Sequence, residues 1–227
     1  DTGGAGTVIT EALVLQESGE DALEDVEVLV LRNRGLSGGF ASGVAERLPR
    51  LAALSLSGNG LGALGPAFRG IDSLVELNLN FNGLGDAALA DLGAAGAGLR
   101  RLFLSHNALR GTGWAAPLAE LRTLCLYRNK IEGELPDVLA PLKRLRHLRD
   151  LDLGGNPCAA GPAYKHHVVT GLRRVATLDG DEVTALDRDL AAMFFSERRH
   201  EGGSGAGAAP AAGGGTGSRP GTAPSMA

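Results

Sequence analysis

Residues 99–109 read LRRLFLSHNAL and residues 121–131 read LRTLCLYRNKI. Both strings carry Leu at the first, fourth and sixth positions, Asn at the ninth and Leu or Ile at the eleventh. Working outward, the same frame recurs in VEVLVLRNRGL from Val26, LAALSLSGNGL from Leu51, LVELNLNFNGL from Leu74 and LRDLDLGGNP from Leu148, which makes six repeats. Alternation sends the fourth and sixth leucines to one side of a short strand. Leu29 and Leu31, Leu54 and Leu56 and their equivalents therefore face a core that no single repeat can close, so the repeats must stack.

The column Asn59, Asn82, Asn107, Asn129 and Asn156 has its own reason. Where the chain turns in behind each strand, backbone groups are buried and need partners, and an amide both donates and accepts. Arg34 stands at the first position of this column, so the first repeat is expected to be less regular. The connections behind the strands bring further core candidates: Phe40, Val44, Phe68, Ile71, Leu118, Leu139 and Leu142.

A solenoid exposes apolar surface at both ends and needs lids. Thr10 is placed to N-cap a helix EALVLQES, with Ile9 and Val14 stapled across it. At the far end Tyr164, Val168, Leu172, Val175 and Leu178 are spaced to pack on the sixth repeat. A helix is predicted from Asp181 to His200, with Leu186, Leu190, Met193 and Phe194 as its buried stripe. After Glu201 the chain is almost entirely Gly, Ala, Pro, Ser and Thr, a composition that reads as a disordered tail. The expected organisation is a start and capping helix at 1–25, six repeats at 26–156, a cap at 157–184, a helix at 185–200 and a tail at 201–227.

The six segments resemble leucine-rich repeats. The resemblance implies an α/β leucine-rich-repeat solenoid, or horseshoe, with short parallel strands on its concave face, an N-terminal helix lid and a C-terminal cap plus helix. Residues 156 to 183 hold Asn156-Pro157-Cys158, Tyr164, Val168-Val169 and Leu178-Asp179-Gly180 in that order. They resemble the C-terminal cap of intracellular leucine-rich-repeat proteins, among them the regulatory subunit of protein phosphatase 1, the acidic nuclear phosphoproteins, the U2 ribonucleoprotein A-prime and several ciliary proteins. The opening VITEALVLQESGEDALEDVEVLVLRNRGL from Val8 is similar to that of ciliary and axonemal members, including the Tilb-type dynein-arm assembly factors, in which an I-T-x-x-L helix precedes the first repeat. The likeness covers about residues 8 to 190. It implies a scaffold or adaptor associated with the cilium or axoneme; an enzyme-regulatory subunit, such as that of a phosphatase, or a nuclear histone or ribonucleoprotein adaptor is the alternative.

Composition narrows the classes. The net charge of −4 argues against general binding to nucleic acid, which needs a positive face. The charge is uneven, roughly −8 before Leu99, +6 from Leu99 to Arg149 and −2 after it. No apolar run approaches the ~18 residues of a membrane span. Only Cys125 and Cys158 are present and there is no N-x-[ST] acceptor, which points to a reducing, intracellular compartment: cytoplasm, with the cilium or axoneme as a more specific setting and the nucleus as the alternative.

No active site, metal site or cofactor is expected. Gly35-Leu36-Ser37-Gly38-Gly39 fits a nucleophile elbow and Gly60 to Gly65 fits a dinucleotide loop, but both fall in connections whose Leu36 and Leu61 belong to the core. His166 and His167 are adjacent and diverge on a helix, so they read as cap surface rather than as metal ligands. Cys158 reads as buried, and Cys125 falls on the concave face as the thiol to react if either does. The acidic run Glu17, Glu20, Asp21, Glu24, Asp25 and Glu27 lacks the spacing of a calcium loop and reads as a solvated face.

The informative surface is the concave one. Positions two, three, five, seven and eight point to solvent, and in repeats three to five they bring Phe81, Phe103, His106 and Tyr127 beside Arg101, Arg122 and Arg128. Aromatic residues and Arg dominate interface hot spots. These seven residues are the expected partner-binding site, for a protein segment that is acidic and partly apolar, on a chain that is a monomer by itself, with no nucleic-acid or membrane partner.

Overall fold

The structure is a computed structural model, and it describes residues 7–62, 64, 71–90 and 92–203. Six short strands follow the repeat frame: β1 (Val28–Val30), β2 (Ala53–Ser55), β3 (Glu76–Asn78), β4 (Arg101–Phe103), β5 (Thr123–Cys125) and β6 (Asp150–Asp152). Two more close the sheet, β7 (Thr177–Leu178) and β8 (Asp181–Glu182). The order is sequential; β1 to β7 are parallel and β8 is antiparallel to β7. Register pairs Leu29, Leu54, Leu77, Leu102, Leu124, Leu151 and Leu178 in one row, which is the fourth-position column of the repeat. All seven are buried, as are the sixth-position leucines beside them.

Both lids form. Helix α1 (Glu11–Ser18) is capped by Thr10, whose hydroxyl accepts from Leu13 N–H at 3.3 Å, and Ile9 and Val14 are fully buried across it. Ile9 bridges to Phe40 and so ties the lid to the first connection. Behind the sheet lie α2 (Leu92–Ala95), α3 (Leu135–Leu142) and single 3₁₀ turns such as Gly113–Ala115. Leu139 and Leu142 of α3, and Phe40, Val44, Ile71 and Leu118 in the connecting turns, enter the core as expected; Phe68 lies outside the described residues. The cap contains α4 (Tyr164–Gly171), and α5 (Ala185–Gly203) packs on it.

The last helix follows the expected 185–200 segment at its start rather than the longer span from Asp181, and departs from expectation at its end and in its inward face. It begins at Ala185, because Asp181–Glu182 pairs with β7 and Thr184 with Asp187 forms a capping box: Thr184 N–H donates to Asp187 at 2.9 Å and Asp187 N–H to the Thr184 hydroxyl at 3.2 Å. It runs to Gly203, so Glu201 is helical rather than the start of the tail; the rest of the expected tail lies outside the described residues. Its inward face is not the expected stripe. Leu186, Leu190 and Met193 are exposed, whereas Ala191 is buried and Phe194 half-buried. Polar anchors set the rotation: Lys165 pairs with Asp187 at 2.7 Å, and Arg188 donates to the Val175 carbonyl at 2.9 Å.

Candidate protein-binding surface

The asparagine ladder fixes the backbone that carries the site. Asn107 Nδ2 donates to Leu104 O at 2.9 Å in its own turn and to Leu79 O at 3.0 Å in the turn before. Its Oδ1 accepts from Leu84 N–H at 2.9 Å and Asn82 N–H at 3.2 Å. Asn59, Asn82, Asn129 and Asn156 repeat the same pattern of carbonyl acceptors in two adjacent turns. Arg34, at the irregular first position, pairs with Glu17 of the lid.

Past each strand the parallel ladder continues, with Phe81 N–H donating to Ser105 O at 3.0 Å, His106 to Tyr127 O at 2.9 Å and Arg128 to Gly154 O at 2.9 Å. The backbone then enters the left-handed region at the eighth position of every repeat: Asn33 (φ 54°), Gly58 (71°), Phe81 (59°), His106 (58°), Arg128 (52°) and Gly155 (70°). Gly and Asn adopt this conformation readily, while a bulky L residue does so at a cost of roughly 1–2 kcal/mol. Three successive turns nevertheless place Phe, His and Arg there. At the same position of the next turn Gly155 shares this conformation, and a Cβ there would also meet Arg128 Cγ at 2.9 Å.

Their side chains form one continuous edge. The Phe81 ring stacks on the His106 imidazole, with centroids 4.2 Å apart and planes at 15°, and His106 meets the Tyr127 ring edge-on at 5.7 Å. The Arg128 guanidinium lies 5.3 Å from the Tyr127 centroid. Phe81 is 55% exposed and Tyr127 37%.

The seven expected residues therefore do not form one patch. Phe81, His106, Tyr127 and Arg128 meet at the C-terminal ends of the strands. Phe103 is the last residue of β4, half-buried and in register with Asn78 and Cys125, three residues before His106 at the eighth position. Arg101 is held by Glu76 at 2.6 Å. Arg122 stands at the second position of its repeat, before β5, and so on the opposite edge of the sheet. Sequence spacing places all seven on exposed positions but does not weigh the length of the strand between position two and position eight.

Other features of the concave face follow only from the register. Val28 and Val30 are exposed on β1, and Asp150 and Asp152 stand on β6, so the face runs from apolar to acidic. Burial holds the Asp152 carboxyl above its ordinary range, and Asp179 close by adds to the effect. Burial, then Asp152 and Asp150, push the Cys125 thiol up to about 11, so this thiol is a poor nucleophile at neutral pH. Asp179 closes the last turn, accepting from Leu153 N–H at 2.8 Å, Gly154 N–H at 3.0 Å and Tyr164 OH at 3.1 Å. The L-D-G string is the only signal in the sequence for that role.

His166 and His167 are not simply solvated: His166 stacks on Phe194 at 4.7 Å and His167 meets Phe195 edge-on at 4.9 Å. Part of the acidic run is ion-paired on the surface, Glu17 with Arg34, Glu24 with Arg47, and Asp25 and Glu27 with Arg50. In the two catalytic-looking strings Leu36 and Leu61 are core residues, and part of the second string lies outside the described residues. Among the described residues no His, Cys, Asp or Glu cluster could hold a metal ion, and no helix is long and apolar enough to cross a membrane.

The fold is a leucine-rich-repeat solenoid, a class that generally mediates protein–protein interaction. Two leucine-rich-repeat family models match, one over residues 73–93 and one over 120–142. Among solved structures the chain is similar to that of the Drosophila melanogaster SNF/U2A' complex, with 20% identity and a TM-score of 0.53 over 87% of this chain and 98% of that one. It is also similar to a leucine-rich-repeat protein of Leptospira interrogans, with 24% identity and a TM-score of 0.54 over 74% of this chain and 45% of that one. No curated protein sequence matches it significantly.

Proposed function

We propose that this protein is a non-enzymatic scaffold or adaptor that grips a partner protein along the edge formed by Phe81, His106, Tyr127 and Arg128. One observation carries the reading: Phe81, His106 and Arg128 in successive turns occupy left-handed backbone conformations that favour glycine, Phe81 stacks on His106, and Phe81 and Tyr127 are exposed. Strain held in place by surrounding structure concentrates at functional sites. Rings fixed against one another and by the ladder lose little conformational entropy on binding. The partner segment is apolar where it meets Phe81 and Tyr127, and carries a carboxylate for Arg128. Asp150 and Asp152 limit how much acidic sequence it brings further along the face.

The proposed setting is the cilium or axoneme, supported by the opening I-T-x-x-L helix, whose Thr10 cap and Ile9–Val14 staple lid the first repeat. An enzyme-regulatory subunit or a nuclear adaptor is the alternative use of the same edge. Affinity purification of the tagged chain from ciliated cells, with wild type beside Phe81→Ala/Tyr127→Ala, tests both parts. Axonemal proteins recovered by wild type and lost from the variant are the expected result. Phosphatase or ribonucleoprotein components lost in the same way would replace the setting and keep the edge.

A further inference from the structure

The edge opposite the aromatic one is where the chain enters each strand. In register, the two residues ahead of the strand-entry apolar residue are Pro49-Arg50, Asp72-Ser73, Ala97-Gly98, Ala119-Glu120, Arg146-His147 and Arg173-Arg174 in successive turns. Arg50, on an early turn, is neutralised by Asp25 and Glu27. The last two turns are different. From Val138 to Arg149 and from Leu153 to Leu178 the chain has no Asp or Glu, and among the described residues Arg146, Arg173 and Arg174 make no ion pair.

These turns enclose a recess of about 390 Å³ between the approach to β6 and the end of α4. Its floor includes Leu145, Leu172 and Val175, its rim is Lys143, Arg146 and Arg173, and no carboxylate lines it. Backbone carbonyls hold the neighbouring guanidinium groups in place: Arg174 donates to Arg146 O at 2.7 Å and Arg149 to Arg174 O at 2.9 Å. A carbonyl dipole positions a cation without cancelling its charge. The recess is thus an apolar floor with a basic rim and two fixed guanidinium groups beside it, at the lower end of the roughly 300–1,000 Å³ of ligand pockets.

The shape selects among anionic partners. The apolar floor is recessed rather than projecting, with Leu145, Leu172 and Val175 all buried, so a flat bilayer cannot reach it. No aromatic side chain lines it to stack a base, and the chain as a whole is acidic, which disfavours nucleic acid. A peptide brings carboxylates to the rim and one large apolar side chain to the floor. We infer that this recess is a second docking site, independent of the aromatic edge, for an acidic protein segment carrying a Leu- or Phe-sized residue between its carboxylates.

The test is fluorescence anisotropy of the full chain with a fluorescein-labelled peptide built on Glu-Glu-Leu-Glu-Glu, with an all-Glu peptide, phosphatidylserine vesicles and a single-stranded oligonucleotide alongside. The Leu-containing peptide is expected to bind better than the all-Glu one and to weaken as salt is raised. Arg146→Glu/Arg173→Glu is expected to weaken it by about tenfold or more, and Arg146→Gln/Arg173→Gln by less, with circular dichroism confirming the fold of each. Phe81→Ala/Arg128→Glu is expected to leave this binding unchanged, which separates the recess from the aromatic edge. The inference is overturned if the peptide does not bind or if neither Arg146/Arg173 pair of changes alters binding. It is equally overturned if the aromatic-edge variant abolishes binding, or if vesicles or oligonucleotide bind more tightly through the same arginines.

Discussion

Asn107 shows most plainly what a single residue does in this fold. Its amide satisfies two carbonyls and two N–H groups drawn from adjacent turns. Truncation to Ala strands all four, so Asn107→Ala is expected to cost about 1 to 3 kcal/mol in urea unfolding. A loss within a few tenths would mean that these groups find other partners. The eighth position works in the opposite sense. Phe81→Gly relieves the left-handed strain and forfeits the stack on His106, two terms of about 1 kcal/mol each that oppose one another. Stability is therefore expected to stay within about 1 kcal/mol of wild type, and partner affinity to fall by about 2 kcal/mol or more. The ladder is legible in the sequence because one residue type repeats at one spacing. The left-handed column is not, because Asn33, Gly58, Phe81, His106, Arg128 and Gly155 share a backbone conformation and no chemistry.

At the scale of elements, the two ends of the solenoid contrast. Helix α1 can be read from the sequence to its cap because Thr10, Ile9 and Val14 are local signals. Helix α5 misleads, because its most apolar stripe is not the one that packs. Capping by Thr184 and pairing of Asp187 with Lys165 and of Arg188 with backbone carbonyls turn Ala191 inward, and those partners come from α4 and the strand approach rather than from α5 itself. Leu186→Glu/Leu190→Glu is accordingly expected to change stability by less than about 0.5 kcal/mol. Ala191→Asp is expected to cost several times that, roughly 2 to 4 kcal/mol, in the same urea titration. Reversed magnitudes would restore the stripe to the interior. The hydrogen bond from Lys165, then those from Thr184, hold the Asp187 carboxyl at about 2. Because this folded value lies below the ~3.9 of a free Asp, the carboxylate's contribution is complete above about pH 4 and is lost as pH falls through about 2. An NMR titration of the Asp187 carboxyl is expected to find that midpoint, and Lys165→Met to move it upward. An ordinary Asp titration in wild type would show that the pair does not persist in solution.

Across the whole molecule the repeats form a sheet with two different edges. The C-terminal ends of the strands carry the rings of Phe81, His106 and Tyr127, and the N-terminal ends gather Arg122, Arg146 and Arg173. The repeat frame alone yields the fold, the strand order and the burial of every fourth and sixth leucine. It also puts Phe81, Phe103 and Tyr127 on the open face, yet it does not separate the two edges, because that separation depends on strand length and on Arg101 being held by Glu76. The recess is similarly silent in the sequence, since its walls come from turns 27 residues apart. The most direct test of the central claim is quantitative recovery of binding partners by Phe81→Ala/Arg128→Glu against wild type and against Ser55→Ala on the second strand, each shown to be folded. The aromatic-edge variant is expected to lose the partner by at least about tenfold, while Ser55→Ala keeps it. Equal recovery by all three would contradict the account and move the binding surface away from this edge.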